Sequence, residues 1–62
     1  MERLRQLRTN AGLTTTKLGD ILGVTHVCIV NWEAGKREPR IEMLKKLSKL
    51  FNVTIDYLVE NE

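Results

Sequence analysis

The side chains that could support chemistry in this 62-residue chain are ten lysines and arginines, one histidine and one cysteine. His26 and Cys28 cannot complete the four-ligand set of a zinc site, and a single cysteine cannot form an internal disulfide. The sequence has no Ser/His/Asp arrangement, no glycine-rich phosphate loop and no cluster of carboxylates. We therefore predict that the protein is not an enzyme and needs no metal or cofactor.

The distribution of charge is more informative than the formal net charge of +2. All ten cations lie between Arg3 and Lys49, where four acidic residues oppose them, a formal excess of +6. Asp56, Glu60 and Glu62 then close the chain. This pattern is compatible with a polyanionic partner that meets one face, and also with a surface that is merely solvated.

The stretch from Thr14 to Ala34 is predicted to form two short helices joined at Gly23. Apolar residues recur at three- and four-residue spacing on both sides: Leu18, Ile21 and Leu22 before the turn, and Val24, Ile29 and Trp32 after it. Gly23 suits a left-handed helix end, and the hydroxyls of Thr14 and Thr25 can cap the helices that follow them. Glycine within a helix costs about 1 kcal/mol relative to alanine, so Gly19 indicates a close approach of two backbones.

The remaining segments also have helical patterns. One helix is predicted from Glu2 to Ala11, one from Ile41 to Phe51, and a last short one from Ile55 to Val59, capped by Thr54. The residues predicted to face inward are Leu4, Leu7 and Ala11 in the first of these and Ile41, Leu44, Leu47, Leu50 and Phe51 in the second. A single all-α domain over residues 1–62 follows, with no membrane span and no signal peptide, which indicates an intracellular protein.

Four ordered motifs make the resemblance to a known family specific. They are LRxLRxxxGLT, LGDxLGVT, WExGKxxP and VTxDYL, and together they resemble the lambda-repressor/Cro family, also called the xenobiotic-response-element family. The resemblance implies a compact five-helix domain with a helix-turn-helix at helices 2 and 3. It implies a sequence-specific transcriptional regulator of the repressor type, encoded by a bacterium or a phage and acting in the cytoplasm. Its partner would be double-stranded DNA, bound as a homodimer, with no membrane and no small-molecule ligand.

The resemblance places the start of the third helix, from about His26 to Ala34, in the DNA major groove. His26 and Asn31 could then donate or accept hydrogen bonds at base edges, and Val27 or Val30 could pack on a thymine methyl group. The alternatives are that His26 contacts a phosphate or solvent, and that the valines meet another protein.

Contacts to phosphates or to the minor groove are expected from the starts of helices 2 and 3 and from the loop after helix 3. The candidates are Thr15, Thr16, Lys17, Thr25, Gly35, Lys36, Arg37 and Arg40. The chain departs from the family at Thr15, where glutamine is usual, and at Ala34, where asparagine is common. Arg40 could instead reach a narrow minor groove or remain in solvent.

Three further expectations concern structure and assembly. In the family, an arginine at the place of Arg8 commonly pairs with the glutamate at the place of Glu33, and the alternative is a solvated arginine. The dimer candidates are Ile55, Tyr57 and Leu58, which could instead only close the core of the monomer. Cys28 is expected to be a small space-filling residue, with a redox role as the alternative.

Two other functions compete with that of a self-contained DNA-binding regulator. The apolar third helix could dock on another protein, as in an antitoxin or an adaptor. The chain could also be the DNA-binding end of a longer regulator. A Lys36→Ala variant should separate DNA binding from protein interaction.

Overall fold

Five helices make up the part of the chain that the computed structural model describes, residues 1–60. They are α1 (Glu2–Asn10), α2 (Thr15–Leu22), α3 (His26–Ala34), α4 (Ile41–Phe51) and α5 (Ile55–Val59). No strand occurs within these residues, and the predicted all-α class is confirmed. The acidic Glu62 lies outside the described residues. None of the five helices is long and apolar enough to cross a membrane.

The core is built from side chains of all five helices. Its buried members are Leu4, Leu18, Leu22, Ile29, Trp32, Leu47 and Leu58. Leu7 and Phe51 pack against this cluster while remaining partly exposed. One core therefore supports all five helices, including α2 and α3.

Several residues that were predicted to face inward lie at the surface instead. Ala11 is exposed because α1 ends at Asn10, which leaves Ala11 in the cap of the helix. Ile21 is 47% exposed because the buried face of α2 is centred on Leu18, Gly19 and Leu22. Ile41 and Leu50 flank Leu47 on opposite edges of α4 and are 57% and 39% exposed.

The helix starts differ in how their threonines act. Thr14 accepts a hydrogen bond from the backbone N–H of Lys17 at 3.0 Å, and Thr54 accepts one from that of Tyr57 at 3.0 Å. These caps were predicted. The predicted cap at Thr25 is wrong, since its hydroxyl makes no bond to a backbone amide and instead donates to the Cys28 sulfur at 3.7 Å.

Gly19 and Gly23 set the crossing of α2 and α3. Gly23 has φ of 79°, in the left-handed region that glycine adopts without a Cβ penalty. The backbone N–H of Val24 donates to the carbonyl oxygen of Gly19 at 2.8 Å. A Cβ at Gly19 would lie 2.6 Å from the carbonyl oxygen of Val24, so the predicted close approach is confirmed.

Candidate nucleic-acid interface

The outward face of α3 presents short apolar side chains next to polar ones. His26 is exposed, and Val27 and Val30 are 53% and 46% exposed. Ile29 and Trp32 point into the core. Because the helix is anchored from behind, its first two turns offer a firm surface with few charges.

Asn31 lies at the boundary between this face and the core. It is half-buried, and its side chain makes no hydrogen bond within residues 1–60. The backbone carbonyl oxygen of Asn31 accepts hydrogen bonds from the backbone N–H groups of Lys36 at 3.0 Å and Arg37 at 3.4 Å. The backbone of Asn31 is therefore fixed while its side-chain amide keeps its hydrogen-bonding capacity.

Polar side chains surround the starts of α2 and α3. Thr16, Lys17 and Thr25 are exposed, and Thr15 is half-buried. The Thr14 hydroxyl already caps α2. The hydroxyls of Thr15 and Thr16 lie beside the partly positive start of α2, an arrangement that suits an anion, whereas the hydroxyl of Thr25 already donates to the Cys28 sulfur.

The loop after α3 is closed by backbone hydrogen bonds to the helix end. Gly35 has φ of 78°, and its N–H donates to the carbonyl oxygen of Trp32 at 3.2 Å. The N–H of Lys36 donates to Asn31, so the end of α3 has the reciprocal pattern of a Schellman motif. The Gly35 amide therefore already has an acceptor, and the phosphate contact predicted at Gly35 stays a prediction. The side chains of the loop offer further contacts to a phosphate.

The loop after α3 carries cationic side chains that can contact phosphates. Lys36, Arg37 and Arg40 are exposed, and Pro39 between them is buried. A buried proline holds the loop against the core and restricts its backbone. The loop therefore presents three cations from a fixed base.

The pair of Arg8 and Glu33 ties α1 to the end of α3. The Nε and Nη2 atoms of Arg8 donate to the two carboxylate oxygens of Glu33 at 2.5 and 3.1 Å. Nη1 of Arg8 donates to the carbonyl oxygen of Leu13 at 2.8 Å. The hydrogen bonds to Glu33 raise the pKa of Arg8, against the opposing effect of burial. The pair expected from the family resemblance is thus present, and it is bidentate.

The three dimer candidates have different environments. Leu58 is 1% exposed and belongs to the core, so the expectation that it contacts a partner is corrected in favour of the alternative. Ile55 is half-buried. Tyr57 is 40% exposed, with the guanidinium of Arg3 lying 4.3 Å from its ring centroid.

An apolar groove that the sequence patterns did not indicate lies between the loop and α5. It has a volume of about 190 Å³ and is bordered by Trp32, Pro39, Leu44 and Val59. Val59 was predicted only as the end of a short helix, and nothing in the local sequence connects it with Pro39.

Comparisons with known proteins agree with this architecture. A family model described as helix-turn-helix matches residues 4–58. The HTH-type transcriptional activator BcrR of Enterococcus faecalis is 48% identical over 61 residues, which cover 98% of this chain and 30% of that protein. Repressor protein C2 of Salmonella phage P22 is 36% identical over 61 residues, which cover 98% of this chain and 28% of that protein.

A solved structure has the same fold. The P22 c2 repressor in complex with synthetic operator 9T superposes with a TM-score of 0.89 at 36% identity, over 98% of this chain and 92% of that one. These relatives are transcriptional regulators, in agreement with the prediction that the chain is not an enzyme. The chain spans less than a third of the length of the two curated relatives described. The fold and the match over nearly its whole length show that this chain belongs to the helix-turn-helix family.

Proposed function

We propose that the chain binds duplex DNA in a sequence-specific manner and regulates transcription, acting as a repressor. The observation that carries the proposal is the exposed start of α3, supported from behind by Ile29 and Trp32 and flanked by cations. The superposition on a repressor held on operator DNA supports the same orientation of the helix.

Discrimination between base pairs is assigned to three residues of α3. Asn31 can form two hydrogen bonds to an adenine, and His26 can donate to the N7 or O6 of a guanine. Val27, 53% exposed with a branched apolar side chain, fits the methyl group of thymine. The operator is therefore expected to contain thymine where Val27 lies.

Affinity is assigned mainly to phosphate contacts. Lys36, Arg37 and Arg40 supply charge on one side of α3. Lys17, the hydroxyls of Thr15 and Thr16, and the backbone N–H of Thr25 supply contacts on the other. If about five phosphates are neutralised, the logarithm of affinity should fall with the logarithm of salt concentration at a slope of about −4 to −5.

Selection of bound duplexes from a random DNA pool at two salt concentrations tests this function. Two inverted half-sites about one helical turn apart are expected, because the two-fold symmetry of a dimer is mirrored in its operator. A single half-site would leave DNA binding intact and remove the dimer. If no sequence is enriched at low salt, where phosphate attraction is strongest, DNA recognition is ruled out.

Removal of one loop cation should weaken binding without changing its specificity. Lys36→Ala is expected to lower affinity for operator and for unrelated DNA by a similar factor, and to reduce the salt slope by about 1. Fluorescence anisotropy titrations of both duplexes over a salt series measure the two quantities. Lys46→Ala, an exposed lysine on α4 outside this face, is the matched control. A loss confined to the operator duplex would show that Lys36 reads bases.

A second candidate function is docking of α3 on another protein, favoured by the exposure of Val27 and Val30. The two functions respond differently to Val27→Gln. Glutamine should shift the preferred base at one operator position from thymine to adenine while leaving the salt slope unchanged. An unchanged DNA preference, combined with the loss of a protein ligand, would favour the docking function.

The assembly and its setting complete the proposal. Residues 1–62 are taken to form one DNA-binding domain, which binds its operator as a homodimer in the cytoplasm. The greater length of the curated relatives supports the alternative that the domain is the DNA-binding end of a longer regulator.

A further inference from the structure

A shallow depression lies between α1 and the outer face of α3. It has a volume of about 250 Å³ and is bordered by Arg5, Arg8, Val30, Glu33 and Ala34. Small-molecule sites usually have volumes of roughly 300–1,000 Å³ and enclose their ligand. Here Arg5, Val30 and Ala34 are all exposed, so the depression is open to solvent. Its size and openness suit part of a larger molecule that passes across the surface.

Arg5 supplies the uncompensated charge of this depression. Arg8 and Glu33 neutralise each other through their bidentate pair. The side chain of Arg5 forms no hydrogen bond or ion pair within residues 1–60. The depression therefore combines one available cation with the short apolar side chains of Val30 and Ala34. Its chemical complement is a group that carries a negative charge next to an apolar edge.

The depression continues the surface of α3 that carries Val27. Val27, Val30 and Ala34 are separated by three and then four residues, so they lie along one stripe of the helix. The axial rise from Val27 to Ala34 is about 10 Å, close to the major-groove width of about 12 Å. When Val27 lies at a base edge, the other end of the stripe therefore reaches the border of the groove, where the sugar–phosphate backbone runs.

We propose that this depression holds one deoxyribose–phosphate unit of the operator, with Arg5 donating hydrogen bonds to the phosphate and with Val30 and Ala34 packing on the sugar. The proposal rests on the DNA-binding function and adds a contact from α1, where the sequence patterns placed none. A guanidinium can donate to two phosphate oxygens at once. The sugar–phosphate unit is the same in every sequence, so this contact contributes to affinity and orientation and not to the choice of base.

The Arg8–Glu33 pair determines how precisely this contact orients the protein. It joins α1 to the end of α3, next to Ala34, and so fixes the position of Arg5 relative to Val27. A phosphate bound by Arg5 therefore limits the rotation of α3 in the groove. Arg5 is a positioning residue for base reading as well as a source of affinity.

Neutral and charged replacements of Arg5 test the contact. Arg5→Gln should weaken binding to the selected operator and to an unrelated duplex by a similar factor, about three- to tenfold near 0.1 M salt, and should reduce the salt slope by about 1. Arg5→Lys should retain the slope, because it keeps the charge. Lys49→Ala, which removes an exposed lysine of α4 outside the depression, should leave both quantities unchanged. Fluorescence anisotropy titrations over a salt series measure them.

Replacement of single operator phosphates by neutral methylphosphonates locates the contact. One replacement should weaken binding of the wild type by about the same factor as Arg5→Gln and should have no further effect on that variant, because each change removes the same interaction. The contact is overturned if no phosphate shows this coupling. It is also overturned if Arg5→Gln leaves affinity and salt slope unchanged, the result expected if Arg5 meets an acidic protein surface instead.

Binding by the wild type distinguishes this contact from the function on which it rests. A wild type that binds DNA, together with an equally tight Arg5→Gln variant, defeats the contact alone. A wild type that binds no duplex at low salt defeats the DNA-binding function and the contact with it. The urea midpoint of Arg5→Gln should equal that of the wild type, because Arg5 is exposed and its side chain has no partner within residues 1–60. Weaker DNA binding by this variant then reports the lost contact and not partial unfolding.

Discussion

Gly19→Ala is expected to destabilise the domain by about 2 kcal/mol. A Cβ at Gly19 would lie 2.6 Å from the carbonyl oxygen of Val24 and 3.2 Å from the carbonyl carbon of Thr25. Both are backbone atoms, so the chain at the start of α3 has to move. Overpacking of this kind costs about 1–3 kcal/mol, and the better helix propensity of alanine returns at most about 1 kcal/mol. A domain of this length has a total stability of roughly 3–9 kcal/mol, so much of it would be lost.

Urea denaturation measures the effect, and two variants separate its causes. Asp20→Ala, at the next and exposed position of α2, raises helix propensity without a clash and should leave stability nearly unchanged or slightly higher. Gly23→Ala meets no atom within 4 Å and suffers only the left-handed backbone, at about 1 kcal/mol. The expected order of damage is therefore Gly19, then Gly23, then Asp20. A Gly19→Ala protein as stable as the wild type would show that the α2–α3 contact can shift to accept a Cβ with little loss in the free energy of unfolding.

Gly19→Ala should also reduce DNA binding beyond its effect on folding. The displaced atoms belong to Val24 and Thr25, which directly precede His26 and Val27. A shift there tilts the reading surface relative to the phosphate contacts of the loop. Affinity for the operator should fall even at temperatures where the variant is fully folded.

Sequence patterns were sufficient for the helices and for the α2–α3 junction because these depend on local chemistry. The capping hydroxyls of Thr14 and Thr54 mark the starts of α2 and α5. Gly19, where only a hydrogen atom fits, marks the close approach of two backbones. The bounds of α3 and α4 follow instead from their helical patterns and from Gly35 and Pro39, which mark the loop between them. The family resemblance added the Arg8–Glu33 pair, which no local pattern could specify.

The errors arose where tertiary packing chooses among similar options. Helical periodicity gives a broad apolar stripe, and in a domain this small some of it stays in water, as at Ile21 and Ile41. Thr25 is a residue type that often caps helices, but its hydroxyl donates a hydrogen bond to the nearby Cys28 sulfur instead. The groove could not be predicted because Pro39 and Val59 meet only through the packing of α5.

The Arg8–Glu33 pair should contribute more to stability than any other ion pair of the described residues. Its side chains are only 13% and 10% exposed, whereas Glu60 in the Arg3–Glu60 pair is 63% exposed. Glu33→Gln removes the negative charge and leaves a largely buried guanidinium without its counter-charge. The expected loss is about 2 kcal/mol, below the 3–5 kcal/mol of a fully buried pair because some water still reaches both groups. Glu60→Gln, the matched control, should cost less than about 0.5 kcal/mol.

A double-mutant cycle distinguishes the ion pair from simple packing. Arg8→Met should cost at least as much as Glu33→Gln, since it also leaves the carbonyl oxygen of Leu13 without the donor that lies 2.8 Å away. With both charges removed in Arg8→Met/Glu33→Gln, no charge is left uncompensated, so the double variant should be less damaged than the sum of the single changes, with a coupling of about 1–2 kcal/mol. Urea midpoints of the four proteins measure this coupling. Strict additivity would mean that water screens the pair and that other contacts hold α1 to α3, among them the hydrogen bonds from the Met1 ammonium to the backbone carbonyl oxygens of Trp32 and Glu33. In that case Glu33→Gln should also leave operator affinity unchanged, because the orientation of α3 would not depend on the pair.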